Sequence, residues 1–483
     1  MQQIMKTMKI SIMALGLLAS TIVSYAQENI TPMMRTLPQR IELNAAMTPT
    51  HADKFLQLPI IAGQNVSVEN TGFAWGDLYT WGADDSMHFD LGNLHDNMRR
   101  INLTSVGLDV PFFGFGTKIR DNHFISIVIS NKTRGDVIFH RSLTNLRYGN
   151  WDYDNDKPVD QDISNIFIRL MNYMEMALGY SNDKLVDGRL KLGGRIKLLA
   201  GVAAVQSDDL KVNFKTERED DRYRVEMHSS GSIKTSIPFT VKLDSAGYVD
   251  NLDFSDTELG DFSPFRNRGL AFDAGATFKL NDMWNFGLSF VDLGFIKWHN
   301  ECHQFSTASG TVMRGVDSNE NIKDGITGSH EAQENYWDAL KDSLLRFTDV
   351  TYKKINYKTR MTPRMIATAE FNLPHLDWLS FGSVVSTKFV NGRAYTRGSV
   401  STHLHKKWFS LIGSLAINPG AHITPGLGLT LQSKVFQFFI MADRFPHNLE
   451  SSSGAAVSWG INFFPGNRKK RQAEATTVES VAE

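Results

Sequence analysis

The chain of 483 residues has a single cysteine, Cys302, and almost no excess charge of either sign. One cysteine excludes a disulfide framework and a multi-cysteine zinc site. Because 51 lysines and arginines stand against 52 aspartates and glutamates, there is no bulk positive field to hold a phosphate backbone. We therefore expect neither a disulfide-rich module nor a nucleic-acid partner.

Motifs of catalytic and cofactor sites are also missing. The sequence has no Gly-x-Ser-x-Gly elbow, no Gly-x-x-x-x-Gly-Lys phosphate loop and no His-Glu-x-x-His zinc motif. The set His299, Glu301, Cys302 and His303 contains suitable ligand types, but adjacent ligands in a polar loop are a weak metal signal. We predict no enzyme, no cofactor and no metal. A Ser-His-Asp site assembled across strands is the alternative that remains open.

Residues 1–26 have the pattern of a secretory signal peptide. Lys6 and Lys9 supply the positive flank, residues 10–18 are apolar, and Ser24-Tyr25-Ala26 is a small-x-small cleavage site. The apolar stretch is shorter than the about 20 residues that span a bilayer, and no second long apolar segment follows. We expect an exported protein whose mature chain begins near Gln27.

The remaining hydrophobic residues follow a two-residue period, which places successive side chains on opposite faces of a strand. The last such segment alternates Val457, Trp459, Ile461 and Phe463 with small and polar residues. Either a secreted β-sandwich or a membrane barrel produces this pattern. Adjacent hairpins and many Gly and Ser on the polar face favour the barrel. We predict an all-β fold, a transmembrane antiparallel barrel of about 12 to 14 strands.

Interruptions of the alternation divide the chain into regions. Residues 27–98 lack sustained alternation and are predicted to be a hatch or plug that folds back into a barrel of residues 99–464. Within the barrel, residues 301–350 form a polar insertion, and the spacing of Trp337, Leu340, Leu344 and Phe347 predicts a helix there. Residues 465–483 are predicted to be a disordered periplasmic tail.

Charged residues on the polar faces are candidates for the barrel interior. If the apolar faces point to lipid, six charged side chains point inward, where they must pair, contact water or meet a ligand. Structural pairing is favoured over substrate contact. These residues are Lys191, Arg195, Lys197, Asp273, Lys279 and Lys388.

Four segments resemble a family of Bacteroidota outer-membrane proteins of unknown function. They are the signal peptide, residues 40–46 (RIELNAA), residues 192–201 (LGGRIKLLAG) and residues 292–298 (DLGFIKW). That family is distantly similar to FadL-type transporters of hydrophobic compounds and to PorV-type barrels of secretion systems. The resemblance implies an outer-membrane location and a hatch at Asn44, Ala45 and Ala46, although Ala45 replaces the proline of the Asn-Pro-Ala motif of those families.

The function implied by the resemblance is uptake or binding of a hydrophobic or amphiphilic compound. Outer-membrane lipid and a hydrophobic small molecule are the expected partners. The alternative is a scaffold that does not transport and that anchors a periplasmic or surface protein partner. A membrane-embedded hydrolase is a third hypothesis.

Overall fold

The structure, a computed structural model, describes residues 29–50, 52–81, 87–120, 122–148, 151–152, 157–158, 161–219, 222–245, 247–255, 257–262, 265–307, 311–314, 350–419, 423–444 and 453–465. The predicted signal peptide, the helix predicted inside the polar insertion and the tail after residue 465 lie outside the described residues.

Strands make up most of the described chain. The strands up to residue 253 are β1 (Lys54–Gln57), β2 (Gln64–Asn70), β3 (Tyr79–Trp81), β4 (Met87–Phe89), β5 (Ile101–Ile119), β6 (His123–His140), β7 (Trp151–Asp152), β8 (Lys157–Pro158), β9 (Gln161–Leu185), β10 (Leu190–Glu219), β11 (Arg222–Ser236), β12 (Thr240–Leu243) and β13 (Val249–Asp253). The later strands are β14 (Asn267–Lys279), β15 (Trp284–Trp298), β16 (Cys302–Thr307), β17 (Thr311–Arg314), β18 (Val350–Lys354), β19 (Tyr357–Arg360), β20 (Arg364–Asn372), β21 (Leu379–Val390), β22 (Arg393–His405), β23 (Phe409–Ile417), β24 (Ile423–Gln432), β25 (Phe436–Arg444) and β26 (Gly454–Phe463).

Helical structure is sparse in this part of the chain. The α-helix α1 (Leu91–Asn97) begins after Asp90, whose carboxylate accepts the backbone N–H groups of Gly92 and Asn93. None of the helices among the described residues has the length and apolar character needed to cross a membrane. The 3₁₀ helices are Thr31–Met33, Pro38–Glu42, Trp75–Leu78, Arg141–Tyr148 and Leu259–Asp261.

Fourteen antiparallel wall strands close into a barrel. β1 and β2 lie in line and form one wall strand, since both pair with β5 on one side and with β26 on the other. The wall continues through β6, β9, β10, β14 and β15 to β19 and β20, which together form another wall strand, and then through β21 to β26. The predicted all-β antiparallel barrel is confirmed, at the upper end of the predicted strand number.

The two ends of the barrel differ in their connections. At one end, which we call the short-turn end, consecutive wall strands are joined through residues 120–122, 186–189, 280–283, 373–378, 406–408 and 433–435. At the other, the long-connection end, most joining segments are longer, and residues 391–392 between β21 and β22 are an exception.

The wall begins earlier than the predicted boundary at residue 99. β1 and β2 belong to the segment predicted as hatch, residues 27–98, yet they close the barrel by pairing with β26 and β5. Their alternation is short because residues 58–63 separate the two strands. In addition, Asn65, Ser67 and Glu69 are buried polar residues of β2, so this strand lacks a clear apolar signal on that face.

One side of the barrel continues beyond the wall at the long-connection end. The second half of β10 pairs with β11, and β11 pairs in turn with β16 and β17. β18 completes this extension next to β16. The described flanks of the polar insertion, residues 301–350, are therefore strands, and nothing described tests its predicted helix.

The register fixes which side chains face the interior. On β10, buried Arg195 lies opposite buried Asp273 of β14, whereas the next residue, exposed Ile196, lies opposite exposed Phe272. A shift of one residue would exchange the two faces of a strand. The apolar face points outward along the wall, and the interior receives the charges.

Candidate functional site

Residues 29–50, which we call the inner segment, lie inside the barrel. Ile30 and Leu37 are fully buried. They belong to one apolar cluster with wall side chains that include Ile412 and Phe439. Because the inner segment contributes apolar side chains to this cluster, its location is fixed by packing as well as by polar contacts.

The predicted hatch residues Asn44, Ala45 and Ala46 are buried against the wall. The Asn44 side chain donates hydrogen bonds to the carbonyl oxygens of Ala276 and Leu288, at 3.1 and 3.3 Å. A Cβ atom on Gly193 would lie 2.4 Å from the Ala45 carbonyl oxygen. The wall therefore needs a glycine where the backbone of the inner segment approaches it.

Polar contacts hold the first part of the inner segment against two wall strands. The backbone N–H groups of Asn29 and Ile30 donate to the buried Asp443 carboxylate, at 2.9 and 3.1 Å. Arg35 forms a 2.7 Å ion pair with Glu370 of β20. These contacts reach opposite parts of the wall, so the segment crosses the interior.

Six buried charged residues form what we call the central cluster: Glu175, Arg195, Lys197, Asp273, Asp292 and Arg364. The Lys197 ammonium lies 2.9 Å from Asp273 and 2.6 Å from Asp292. Arg364 pairs with Asp292 at 2.7 Å, and Arg195 with Asp273 at 3.5 Å. Three carboxylates thus match three cations, as charges buried together require.

The central cluster is connected to the inner segment through Lys132. Its ammonium lies 3.0 Å from Glu175 in the cluster and 3.1 Å from Glu42 in the inner segment. Arg195 also faces the Ile41 carbonyl oxygen at 3.5 Å. Movement of the inner segment would therefore break an ion pair and expose part of the cluster.

A second buried group lies nearer the long-connection end. Asp136 pairs with Lys388 at 2.6 Å and with Arg169 at 2.8 Å. Arg169 further donates to the Thr362 hydroxyl and to the Arg360 carbonyl oxygen, at 2.5 and 3.2 Å. This group ties β6 and β9 to the chain between β19 and β20.

The wall ladder is interrupted beside this group. β15 pairs with β19 through Phe295–Trp298 and with β20 through Trp284–Val291, while residues 292–294 face residues 361–363 outside the two registers. A single backbone bond, from Met361 N–H to the Gly294 oxygen at 2.9 Å, crosses there. Asp292 takes a left-handed φ of 62° and turns its carboxylate into the central cluster.

A cavity of about 780 Å³, the mouth cavity, opens at the interruption. Buried Arg169 and Met361 line it from inside, and the exposed side chains of Leu293 and Phe389 line it from outside. Its lining thus mixes charged and apolar groups on both faces of the wall, a combination that suits an amphiphilic molecule.

The six predicted interior charges separate into three environments. Arg195, Lys197 and Asp273 lie in the central cluster, and Lys388 lies beside Asp136. Lys191 and Lys279 instead lie at the short-turn end, where they line a smaller cavity of about 240 Å³. Lys279 is half exposed and pairs with Asp282 at 2.7 Å.

The partners of these charges were missed by sequence reasoning. Glu175, Asp292, Arg364, Lys132 and Asp136 complete the buried pairs, yet none was predicted to lie there. Glu175 did leave a signal: it is a lone carboxylate between Met174 and Met176, in an otherwise apolar part of β9. Asp292 gave no such signal, because its bulge depends on pairing with β14.

Cys302 is buried in β16 of the extension. Its thiol donates to the Asn300 carbonyl oxygen at 3.3 Å, and burial raises the pKa of the thiol to about 11. The neighbouring His303 ring stacks on Phe239 with centroids 4.4 Å apart. A protonated, buried thiol is a poor metal ligand and a poor nucleophile.

Comparison with known proteins gives a family and a set of solved barrels. The profile of a family of unknown function, DUF5723, matches residues 46–443. Comparison with curated proteins finds no match. The Bacteroidota affiliation and the similarity to PorV-type barrels stay predictions.

Three solved structures are similar over nearly their full length. A FadL homologue of Pseudomonas aeruginosa is 10% identical with a TM-score of 0.38, over 92% of this chain and 98% of that one. The toluene transporter TbuX of Ralstonia pickettii is 8% identical with a TM-score of 0.37, over 92% and 96%. The toluene transporter TodX of Pseudomonas putida is 9% identical with a TM-score of 0.34, over 92% and 94%.

Proposed function

The chain belongs to the family of unknown function DUF5723, and we propose that this member is an outer-membrane barrel that takes up or binds a hydrophobic or amphiphilic compound. The mouth cavity carries the proposal, because it brings charged interior groups and exposed apolar groups together at an interruption of the wall. The sequence resemblance to FadL-type transporters supports the same substrate class.

The outer face of the wall supports a membrane location. Bulky apolar side chains are exposed along it, for example Ile196 at 52% and Leu415 at 56%. In water such a surface would be a large apolar patch, whereas in a bilayer it contacts lipid. Trp284, Trp378 and Trp408 stand exposed at the short-turn end, where an aromatic girdle would meet the membrane interface.

We place the short-turn end in the periplasm and the long-connection end at the cell surface, as in bacterial outer-membrane barrels. The chain is exported with a signal peptide that is then cleaved. In the orientation given above, the mouth cavity faces outward and the inner segment acts as the hatch. Substrate is captured in the mouth cavity, and displacement of the Asn44–Ala46 part of the inner segment opens a lateral or luminal path.

The first experiment tests the location. Outer membranes are separated from soluble fractions, and the barrel is recognised by its altered migration on a gel when samples are heated. We expect the protein in the outer membrane, with a compact form in unheated samples. Recovery in the soluble periplasmic fraction would refute the membrane barrel and with it the uptake route.

The second experiment tests the hatch. Glu42→Gln removes the pair between the inner segment and Lys132, so we expect faster uptake of a hydrophobic fluorescent dye. Glu69→Gln is the matched control, because it breaks the buried pair with Arg397 between β2 and β22. Equal uptake by Glu42→Gln, Glu69→Gln and the deletion strain would contradict a transport role.

The extension formed by β11, β16, β17 and β18 favours a second candidate, a surface scaffold that does not transport. A scaffold would retain a protein partner during purification in detergent and would lose it on deletion of the extension or of residues 467–483. Dye uptake would then be the same with and without the protein.

A further inference from the structure

Pairing of buried cations follows one rule in this barrel, with one exception. Among the described residues, nine lysine and arginine side chains are buried, and eight of them lie within 4.0 Å of a carboxylate. The exception is Arg40 of the inner segment, which is 6% exposed. Its guanidinium donates to the carbonyl oxygens of Pro32 and Arg35, at 2.9 and 3.2 Å, and within the described chain no carboxylate neutralises it at contact distance.

Arg40 lines the cavity of about 240 Å³ at the short-turn end, which we call the short-turn cavity, together with Arg189 and Lys191. Arg189 is exposed and Lys191 is half-buried, and neither forms an ion pair within 4.0 Å with a described residue. Three cations from the inner segment, the 186–189 turn and β10 therefore line one space without a carboxylate in contact with any of them.

Three of the nearby carboxylates are already engaged, and Asp187, in the same turn as Arg189, is exposed to solvent. Glu370, which also lines the cavity, pairs with Arg35 at 2.7 Å. Asp183 accepts a hydrogen bond from Thr48 at 3.2 Å and lies 3.9 Å from Lys118. Asp282 is held by Lys279 at 2.7 Å. The cavity is thus left with an excess of positive charge, and the buried guanidinium of Arg40 is costly without a counter-ion in contact.

We propose that the short-turn cavity is a binding site for a phosphate group, held by Arg40, Arg189 and Lys191. A phosphate monoester carries close to two negative charges at neutral pH and offers three acceptor oxygens, which suits three unpaired cations better than a monoanionic carboxylate does. Guanidinium groups bind phosphate through two parallel hydrogen bonds, and an ammonium adds a point charge.

The volume limits what the site encloses. Liquid water occupies about 30 Å³ per molecule, so the cavity has room for a phosphate group but not for a drug-sized ligand, which needs about 300 Å³ or more. The phosphate could belong to a soluble compound or to an amphiphile whose chain extends outside the cavity. This proposal does not depend on the uptake function, since it concerns the opposite end of the barrel from the mouth cavity.

The test is calorimetric titration of the purified full-length protein, in neutral detergent at low salt, with inorganic phosphate. We expect saturable binding, weakened about tenfold by Lys191→Gln and by Arg189→Gln, because a hydrogen bond to a charged group contributes about that much. Lys434→Gln, at the turn between β24 and β25, is the matched control and should bind as the wild type does. Arg40→Gln is expected to abolish binding.

Two results would overturn the proposal. The first is the absence of saturable phosphate binding to the wild type. The second is a loss of phosphate affinity in Lys434→Gln as large as in Lys191→Gln, which would show that only the net charge of the protein matters. Arg189→Gln and Lys191→Gln keep the test decisive if Arg40→Gln does not fold. A parallel titration with dodecyl phosphate identifies the source: tighter binding than inorganic phosphate indicates an amphiphile, and equal binding indicates a soluble phosphate.

Discussion

Two lysines on the same face of β10 have opposite surroundings. Lys197 lies in the central cluster, with Asp273 and Asp292 within 3 Å. Lys191, six residues earlier, lines the short-turn cavity and has no carboxylate within 4.0 Å among the described residues. Ala271 stands opposite Lys197, and its carboxylates come from Asp273, two residues along β14, and from Asp292 of β15. Thr277 stands opposite Lys191, and Asp183 of β9 is already in contact with Thr48 and Lys118.

An inward-facing position on a strand therefore does not determine whether a charged side chain is paired in the folded protein. A cation whose neighbouring strands supply carboxylates is part of the folded framework, and its loss leaves buried anions unpaired. A buried or half-buried cation that contacts no carboxylate adds an unfavourable burial cost, which a bound anion can relieve.

Asp292→Asn should cause the largest loss of stability. This carboxylate pairs with both Lys197 and Arg364, so its neutralisation removes one carboxylate from each of two buried cations. We expect the free energy of unfolding to fall by about 3–5 kcal/mol. Urea unfolding in detergent micelles measures it, with exposed Asp282→Asn as a control that should be unchanged. A loss below about 1 kcal/mol for Asp292→Asn would show that the cluster is not a structural framework.

Gly193→Ala should disturb the inner segment and leave the central cluster intact. The new Cβ would lie 2.4 Å from the Ala45 carbonyl oxygen, so the segment must move at a cost of about 1–3 kcal/mol. Amide hydrogen exchange at Asn44–Ala46 should then become faster. Gly194→Ala is the matched control, because the atom nearest to its new Cβ would be the Asp273 carbonyl oxygen, at 3.5 Å. Equal exchange in both variants would contradict close packing of the segment on β10.

Much of the barrel could be predicted from the sequence, because alternation is a local property. Leu192, Ile196 and Leu198 alternate with Arg195 and Lys197 on β10, and the strand orients them as that pattern predicts. The wall strand of β1 and β2 could not be found in this way, since a break divides it and its buried face is polar.

The chemistry of the interior could be predicted only in part. The residue types on the inward face of β10 are visible in the sequence, but whether they are paired depends on distant residues. Asp292, for example, binds both Lys197 and Arg364, which are 167 positions apart in the chain. Arg40 begins the RIELNAA segment of the resemblance, but nothing in the sequence indicated its burial without a carboxylate in contact, because this follows from the path of the inner segment through the barrel.

Lys191→Met should change stability in the opposite direction to Lys197→Met. Removing Lys197 takes away the cation nearest to both Asp273 and Asp292, so we expect a loss of several kcal/mol. Removing Lys191 withdraws a partly buried cation that no described carboxylate contacts within 4.0 Å, so the free energy of unfolding should stay the same or rise by less than about 1 kcal/mol. Urea unfolding in phosphate-free buffer compares the two. A marked loss in Lys191→Met would mean that this lysine also has a structural partner.

Lys279→Gln should have the smallest effect, although Lys279 lines the same cavity as Lys191. Its ammonium is already held by Asp282 in the turn between β14 and β15, and it is half exposed to solvent. Exposed ion pairs contribute little, so we expect unchanged unfolding and a loss in phosphate affinity of less than about twofold. The same calorimetric titration checks it beside Lys191→Gln. Equal weakening of phosphate binding by Lys279→Gln and Lys191→Gln would contradict this distinction. It would show that a cation already paired with a carboxylate binds phosphate as well as an unpaired one does.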